Sequence, residues 1–247
     1  MKTNSRLRGD DETLDTFYHG RILVLQKKKG YRFAVDAPLL AAFIRTRETD
    51  EIIELGAGNG IISLLLSTRP FRHILCLEIQ ETLAGLARRN VSLNKLEGRI
   101  EVLHADLRAF PTDKKFDIVF SNPPWVRSLK GPLGPSLEKA IAKHEIKCDI
   151  FDIMQTAAGL LKADGRAFFI YPDKRKKDFF EAAERNGLGF RRMRAVLPRE
   201  GNAANFFLAE CGFGGGSGEE LSPLIIFDEA DRYTPEMERI FAGEASA

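Results

Sequence analysis

The chain lacks the features of an exported, membrane-spanning or metal-stapled protein. Its 247 residues include only three cysteines, Cys76, Cys148 and Cys211, which lie far apart with no C-x-x-C spacing. That excludes a short zinc motif, argues against a disulfide framework and fits a reducing cytoplasm. No apolar run approaches the roughly 18 residues a membrane span needs. Met1 to Asp15 is polar and charged, so the protein is expected to be soluble and unexported. An excess of charge of either sign is missing as well, since 37 basic residues face 35 acidic ones for a net charge of +2. Bulk charge therefore neither requires nor excludes a nucleic-acid partner, and local clusters must decide. No internal repeat is present. With 44% hydrophobic and 29% charged residues, the chain can bury one sizeable core and is too short for two full domains with linkers.

What is present is organised around Phe116 to Trp125, FDIVFSNPPW. Phe116 to Phe120 is short, apolar and aromatic, which predicts a strand buried on both faces. Pro123 and Pro124 end it, because neither has an N–H to donate and both hold φ near the extended value. The backbone beyond Asn122 is then a stiff loop with free carbonyls. Asn122 offers a side-chain acceptor, Pro123 a main-chain carbonyl and Trp125 a flat apolar face. Together they suit a planar group carrying an NH2, held edge-on by two acceptors and face-on by a ring. Such a nitrogen is a poor nucleophile because its lone pair is delocalised. Two acceptors on its hydrogens favour a pyramidal nitrogen with the lone pair aimed at an incoming methyl, after which the proton leaves to the clamp or to water. The plain alternative is an Asn-Pro turn that closes a strand.

Glu51 to Leu55 predicts a strand followed at once by Gly56-Ala57-Gly58-Asn59-Gly60 and the helix Ile61 to Thr68. Glycines at alternate positions let backbone N–H groups approach a ligand without Cβ obstruction. His73 to Leu77 is another strand, and it ends in Glu78, about 20 residues beyond the glycines, where an acidic residue accepts ribose hydroxyls in dinucleotide folds. The acidic Glu54 is unwelcome beside a pyrophosphate but suits a cationic amino-acid group. S-adenosylmethionine has that group, a ribose and no phosphate, so the pattern favours it over a nicotinamide cofactor. Gln80 to Asn94 predicts a helix and Arg99 to His104 a strand. Beyond that strand Asp106 is placed to accept from an adenine amino group, with Leu107 against the ring; its alternative is an N-cap for a short turn.

The rest of the chain frames this centre. Met1 to Asp15 is expected to fray, and Thr16 to Gln26 to form two short strands with a turn at His19-Gly20. Lys27, Lys28, Lys29, Tyr31, Arg32 and Phe33 make a basic stretch with interleaved aromatics, suited to a phosphate backbone and stacked bases, or else a solvated face. Asp36 to Ile44 predicts a helix with Asp36 as N-cap. Val126 to Cys148 is long enough to be an active-site lid, in which His144 either contacts substrate or is structural. Asp149 to Leu161 predicts a helix, Ala163 to Gly165 a turn, Arg166 to Tyr171 a strand and Asp173 to Gly187 a helix carrying Lys174-Arg175-Lys176-Lys177. An antiparallel pair, Phe190 to Leu197 and Asn205 to Cys211, closes the sheet. Gly212 to Gly218 reads as flexible, with a strand near Leu221 to Phe227 and a short helix near Thr234 to Phe241.

The order ELGAGNG, Glu78, Asp106, NPPW resembles the class I S-adenosylmethionine-dependent amino-methyltransferases. More narrowly, KKKGYRFAVDAPLLA, EIQETLAGLARRNVSLN, FDIVFSNPPW, the His144-Glu145 pair and YTPEMERI resemble one bacterial family, the tRNA1(Val) adenine-37 N6-methyltransferases, from about Tyr18 to the C-terminus. The resemblance implies an α/β fold, a Rossmann-like seven-stranded and mostly parallel sheet with one antiparallel strand and helices on both faces. The strands read along the chain give the same sheet. It implies that Glu54, Gly56, Gly58 and Gly60 hold the methionine part of the cofactor, flanked by Phe33 and Asp36, that Glu78 binds ribose, and that Asp106 and Leu107 bind adenine. Asn122, Pro123 and Trp125 would hold the target amine, with Asn122 also touching the cofactor. Lys27, Lys28, Lys29, Tyr31, Arg32, Trp125 and His144 would face the RNA. Two departures stand out: Trp125 where Tyr or Phe is usual, and Asn59 where Ser or Cys is common.

The expected organisation is an N-terminal extension over 1–47, a methyltransferase domain over 48–212 and a linker with a tail packing on it over 213–247. Three function classes compete. The first is N6-methylation of adenosine 37 in the anticodon loop of a tRNA by a cytoplasmic monomer without metal or membrane. The second is methylation of a protein glutamine at N5, or of another RNA such as rRNA. The glutamine enzymes resemble this chain at the clamp but carry a helical N-terminal domain where this chain has its basic GYRF stretch. The third is a non-catalytic binding module, against which the intact NPPW argues.

Overall fold

The structure, a computed structural model, describes residues 8–29, 35–123, 148–214, 216 and 218–244. Two antiparallel strands, β1 (Glu12–Phe17) and β2 (Ile22–Lys27), precede the helix α1 (Asp36–Phe43). An alternation then follows: β3 (Glu51–Leu55), α2 (Ile61–Leu66), β4 (His73–Glu78), α3 (Glu81–Leu93), β5 (Ile100–His104), β6 (Phe116–Ser121), α4 (Ile150–Leu160), β7 (Leu161–Pro172) and α5 (Lys176–Arg185). The strands β8 (Leu188–Leu197), β9 (Phe206–Phe213) and β10 (Glu219–Ile225) and the helix α6 (Pro235–Ala242) complete the described chain.

The sheet has eight strands in the order β10-β8-β9-β7-β6-β3-β4-β5, and β9 alone runs against the rest. The sheet was expected to have seven; the tail adds the eighth by pairing β10 in parallel on the open edge of β8. Its strands alternate between two apolar layers. Ile52, Ile74, Ile118 and Phe168 face one cluster with α1, α2, α3 and α6, whereas Ile53, Leu75, Val119 and Phe169 face the other with α4 and α5. Both faces being covered, these strands read as unbroken apolar runs. Arg194 clamps Glu236 at 2.6 and 2.9 Å and donates to the Ser222 carbonyl, tying α6 and β10 to β8.

Three local expectations change. Residues 12–15, expected to fray, belong to β1, where Arg89 grips Glu12 through two hydrogen bonds. The turn at Ala163 to Gly165 is absorbed as a bulge in β7, since pairing jumps from Phe116–Leu161 to Ile118–Arg166. Asp36 is the first residue of α1 and not its cap; Val35 holds that place without a side-chain bond.

The β1–β2 hairpin docks through two asparagines one turn apart, Asn90 in α3 and Asn94 at its C-cap. Asn90 accepts from Leu25 N–H at 2.7 Å and donates to Leu25 C=O at 3.1 Å. Asn94 does the same for Leu23 at 2.9 and 2.7 Å. The two amides thus replace a missing neighbouring strand. Asn90 is fully buried and donates as well to the Asn59 carbonyl at 2.9 Å. Asn90→Ala leaves those backbone groups unpaired in the core and should cost about 3 kcal/mol, the upper end for an orphaned buried group. Urea unfolding of the two proteins measures it.

Candidate active site and cofactor cleft

The glycine turn, Glu78, Asp106 and Asn122 all lie at or just beyond carboxyl ends of parallel strands. The chain leaves β3 toward β4 and β5 and returns on its other side as β6, so a crevice opens at β3. Gly56, Gly58 and Gly60 have φ of 74°, 58° and 81°. At Gly56 a Cβ would meet nothing within 4 Å, so glycine is required there by its left-handed backbone and not by crowding. Gly56 N–H and Ala57 N–H both donate to the Leu77 carbonyl at 2.9 Å, which pins the turn to the end of β4.

Glu78 sits against this turn, 5% exposed, and accepts from Gly58 N–H and Gln80 N–H, each at 2.8 Å. Burial lifts its carboxyl above the ordinary value, while backbone donors from Gln80, Gly58 and Ile79 pull it down less strongly. A carboxylate accepts about four hydrogen bonds, so beside these three backbone donors capacity remains for a ribose hydroxyl.

Glu54 lies beneath the turn, 1% exposed. Its partners are inside the protein: the Ser63 hydroxyl donates to it and the Cys76 thiol lies 3.7 Å away. Burial pushes its pKa up to about 8, against the lowering effect of those donors. The expectation of a direct partner for a cationic ligand group therefore meets a carboxyl already engaged in the core. Asn59 is also 1% exposed, and neither atom of its amide has a partner among the described residues. An orphaned amide in the cofactor turn is a cost that a polar ligand can relieve. The positive-φ turn with open space at Gly56, the spare capacity of Glu78 and this amide fit S-adenosylmethionine.

Asp106 caps the short 3-10 turn Leu107–Ala109, accepting from Arg108 N–H at 3.0 Å. It also pairs with the Arg108 guanidinium, with Nη2 at 2.5 Å from Oδ2. The cap that stood as the alternative is present, and an adenine amino group would share this carboxylate with Arg108. Leu107 is half-buried and packs against the α4–α5 apolar layer.

Asn122 follows β6 directly. The fully buried Ser121 donates its hydroxyl to the Leu55 carbonyl at 2.7 Å, locking the end of β6 beside the start of the glycine turn. Asn122 Nδ2 donates to Asp36 Oδ2 at 2.8 Å, and Pro123 is buried. Lys27 ends β2; Lys28 and Lys29 are exposed, with Lys28 Nζ on the Asp10 carbonyl at 2.7 Å. Tyr31, Arg32, Phe33, Trp125, His144 and nearly all of the expected lid lie outside the described residues. Sequence reading missed Ser63, Asn90, Arg108 and Ser121. Asn90 and Asn94 did leave a signal, two asparagines four apart beside the apolar stripe of α3. Among the described residues no helix is long and apolar enough to cross a membrane, and no group of three or more His, Cys, Asp or Glu residues is placed to hold a metal.

The raised pKa of Glu54 has a definite sign in stability. Its folded value, about 8, lies above the ordinary 4.5. The stabilisation is therefore fully present below the ordinary value and is lost as pH rises through the folded one. Glu54→Gln cannot ionise and can still accept from Ser63. Unfolding free energies measured in urea at acid, neutral and mildly alkaline pH should move progressively against the parent protein relative to Glu54→Gln. A difference constant across that range would mean that Glu54 is already ionised in the folded protein at neutral pH.

Comparison with known proteins agrees with this geometry. A family model described as the methyltransferase small domain matches residues 32–177. The tRNA1(Val) (adenine(37)-N6)-methyltransferase of Pedobacter heparinus is 32% identical over 160 residues, 64% of this chain and 67% of that protein. Its namesake in Vibrio cholerae is 30% identical over 199 residues, 80% of each chain. The crystal structure of a predicted O-methyltransferase from Agrobacterium tumefaciens superposes with a TM-score of 0.67 at 23% identity, covering 86% of this chain and 98% of that one, a likeness of fold. With a match over more than half its length, the chain belongs to the methyltransferase small domain family, S-adenosylmethionine-dependent enzymes, in the branch of the tRNA1(Val) (adenine(37)-N6)-methyltransferases.

Proposed function

We propose that the protein methylates the N6 amino group of adenosine 37 in the anticodon loop of tRNA1(Val), acting as a cytoplasmic monomer. The observation that carries this reading is Asn122, held at the end of β6 beside the glycine turn with its NH2 turned to Asp36 and its carbonyl oxygen accepting from none of the described residues. The relatives of that name support the substrate. The amino-terminal strands β1 and β2 form a hairpin, whereas the protein-glutamine reading expects a helical domain there.

The bound cofactor supplies an electrophilic methyl group. Gly56, Gly58 and Gly60 shape its seat, Glu78 takes a ribose hydroxyl, and Asp106 with Leu107 borders the adenine ring. The target base must leave its stack to reach Asn122. Asn122 Oδ1 and the Pro123 carbonyl then accept its two amino hydrogens while Trp125 stacks on its face. As the nitrogen turns tetrahedral and positive, those two acceptors stabilise it, being fixed in place before the reaction. The surplus proton passes to water, so no strong base is needed. Lys27, Lys28, Lys29, Tyr31 and Arg32 grip the RNA backbone and neighbouring bases. The domain boundaries at 47 and 212 belong to this reading, with the tail packed on the main domain.

Labelled S-adenosylmethionine offered with total tRNA, rRNA and protein fractions should place label in tRNA as N6-methyladenosine. Label confined to protein would instead favour the glutamine reading. Asn122→Ala should lower the single-turnover rate by on the order of a hundredfold or more while cofactor affinity and melting temperature hold, because the lost bond is made mainly in the transition state. An Asn122→Ala protein that melts early yet methylates normally per folded molecule would mark Asn122 as a turn residue.

A further inference from the structure

An asparagine amide has two ends, and the clamp needs one of them. Oδ1 accepts from the target amine, whereas Nδ2 in its place would set N–H against N–H. Nothing in Asn122 itself chooses between the two, since the ends are nearly equal in size and differ only in what they bind.

The choice is made from a distant part of the chain. Asp36, 86 positions away in sequence, stands in the first turn of α1. Its Oδ1 takes the Ala37 N–H at 3.1 Å and its Oδ2 takes Asn122 Nδ2 at 2.8 Å. An ionised carboxylate only accepts, so only the NH2 end of Asn122 can face it. The carbonyl end is thereby turned the other way. The backbone of this corner is fixed separately, by Ser121 on the Leu55 carbonyl. The negative charge also polarises the amide along the hydrogen-bond chain, which makes Oδ1 a better acceptor.

We propose that Asp36 is a positioning residue for methyl transfer, which sets the Asn122 amide so that its carbonyl oxygen faces the target amine. The inference rests on the reading of Asn122 as the acceptor. It gives Asp36 a role different from a contact at the methionine end of the cofactor. The logic is that of an oriented catalytic group, where a third residue fixes the one that touches substrate.

Single-turnover methylation of unmodified tRNA bearing adenosine 37, at saturating S-adenosylmethionine, tests it together with calorimetric cofactor binding. Asp36→Ala should slow transfer by on the order of ten- to a hundredfold, as loss of a supporting partner typically does, and leave cofactor affinity unchanged. Asp36→Asn keeps the side chain's size but has one acceptor for two N–H partners and an NH2 end that can face the Asn122 carbonyl, so it should stay slow although the fold is held. In an Asn122→Ala background the removal of Asp36 should add no further loss, because its effect runs through that amide. Should Asp36→Ala melt early, Asp36→Ser retains an acceptor for Ala37 N–H and is too short to reach Asn122, and the same outcomes apply. Weakened cofactor binding at an unchanged rate would make Asp36 a cofactor contact and overturn the proposal. An equal loss in both backgrounds would also overturn it. If Asn122→Ala is slow and Asp36→Ala is not, the clamp stands and the role of Asp36 falls. A normal rate in Asn122→Ala removes the clamp and this proposal together.

Discussion

The cleft exists because β3 is paired in parallel on both sides, in register with β4 through Leu55–Leu77 and with β6 through Glu54–Phe120. Those two pairings bring three chain ends to one level. Leu77 can then accept from Gly56 and Ala57, and Ser121 can reach Leu55. Side chains alternate along a strand, so a slip of one residue between β3 and β6 would send Phe120 to the wrong apolar layer and turn Asn122 away from the turn. Fully buried aromatic residues on β6 and β7, Phe116, Phe120, Phe168 and Phe169, make that slip expensive. The register that serves chemistry is thus the register the core demands.

The polar interior is concentrated at the same place. Glu54, Asn59, Ser63, Glu78, Asn90 and Ser121 are six of the ten buried polar or charged residues among those described, and all six lie in, under or beside the glycine turn. Elsewhere the sheet is closed mainly by apolar contacts, with Arg192–Glu210 and Arg194–Glu236 as ion pairs at its far edge. Burial works against the charge on Glu54 and Glu78, and the Asn59 amide has no partner among the described residues. A fold built for stability alone would put apolar groups at several of these positions. Their clustering follows the general pattern in which cost is accepted at a functional site and offset in the rest of the core.

Local chemistry was legible in the sequence and long-range geometry was not. The strand FDIVF, the turn after ELGAGNG and the spacing to Glu78 are written within about 30 residues, and each follows from period, glycine freedom or proline stiffness. Glu78 lies against the turn and accepts from Gly58 N–H. Strand alternation carries Glu54 to Ser63 and Cys76, partners that its place beside the glycines does not encode. Asp106 was read for its place at a strand end, and the nearby Arg108 that pairs with it lay too close in sequence to draw notice. The bulge in β7 and the eighth strand depend on which edges find partners, which periodicity within a segment does not encode.

Asn90 shows how such long-range geometry bears on function. Its amide holds both backbone groups of Leu25 on β2 and the carbonyl of Asn59 in the glycine turn. Two residues beyond Leu25 the chain enters Lys27, Lys28 and Lys29. The strand that leads into the basic stretch and the glycine turn are therefore joined through one fully buried side chain. Flexible chain between two sites leaves their separation loose, whereas a shared amide with three hydrogen bonds inside a packed core does not. The distance between the basic strand end and the glycine turn is in this way a property of α3.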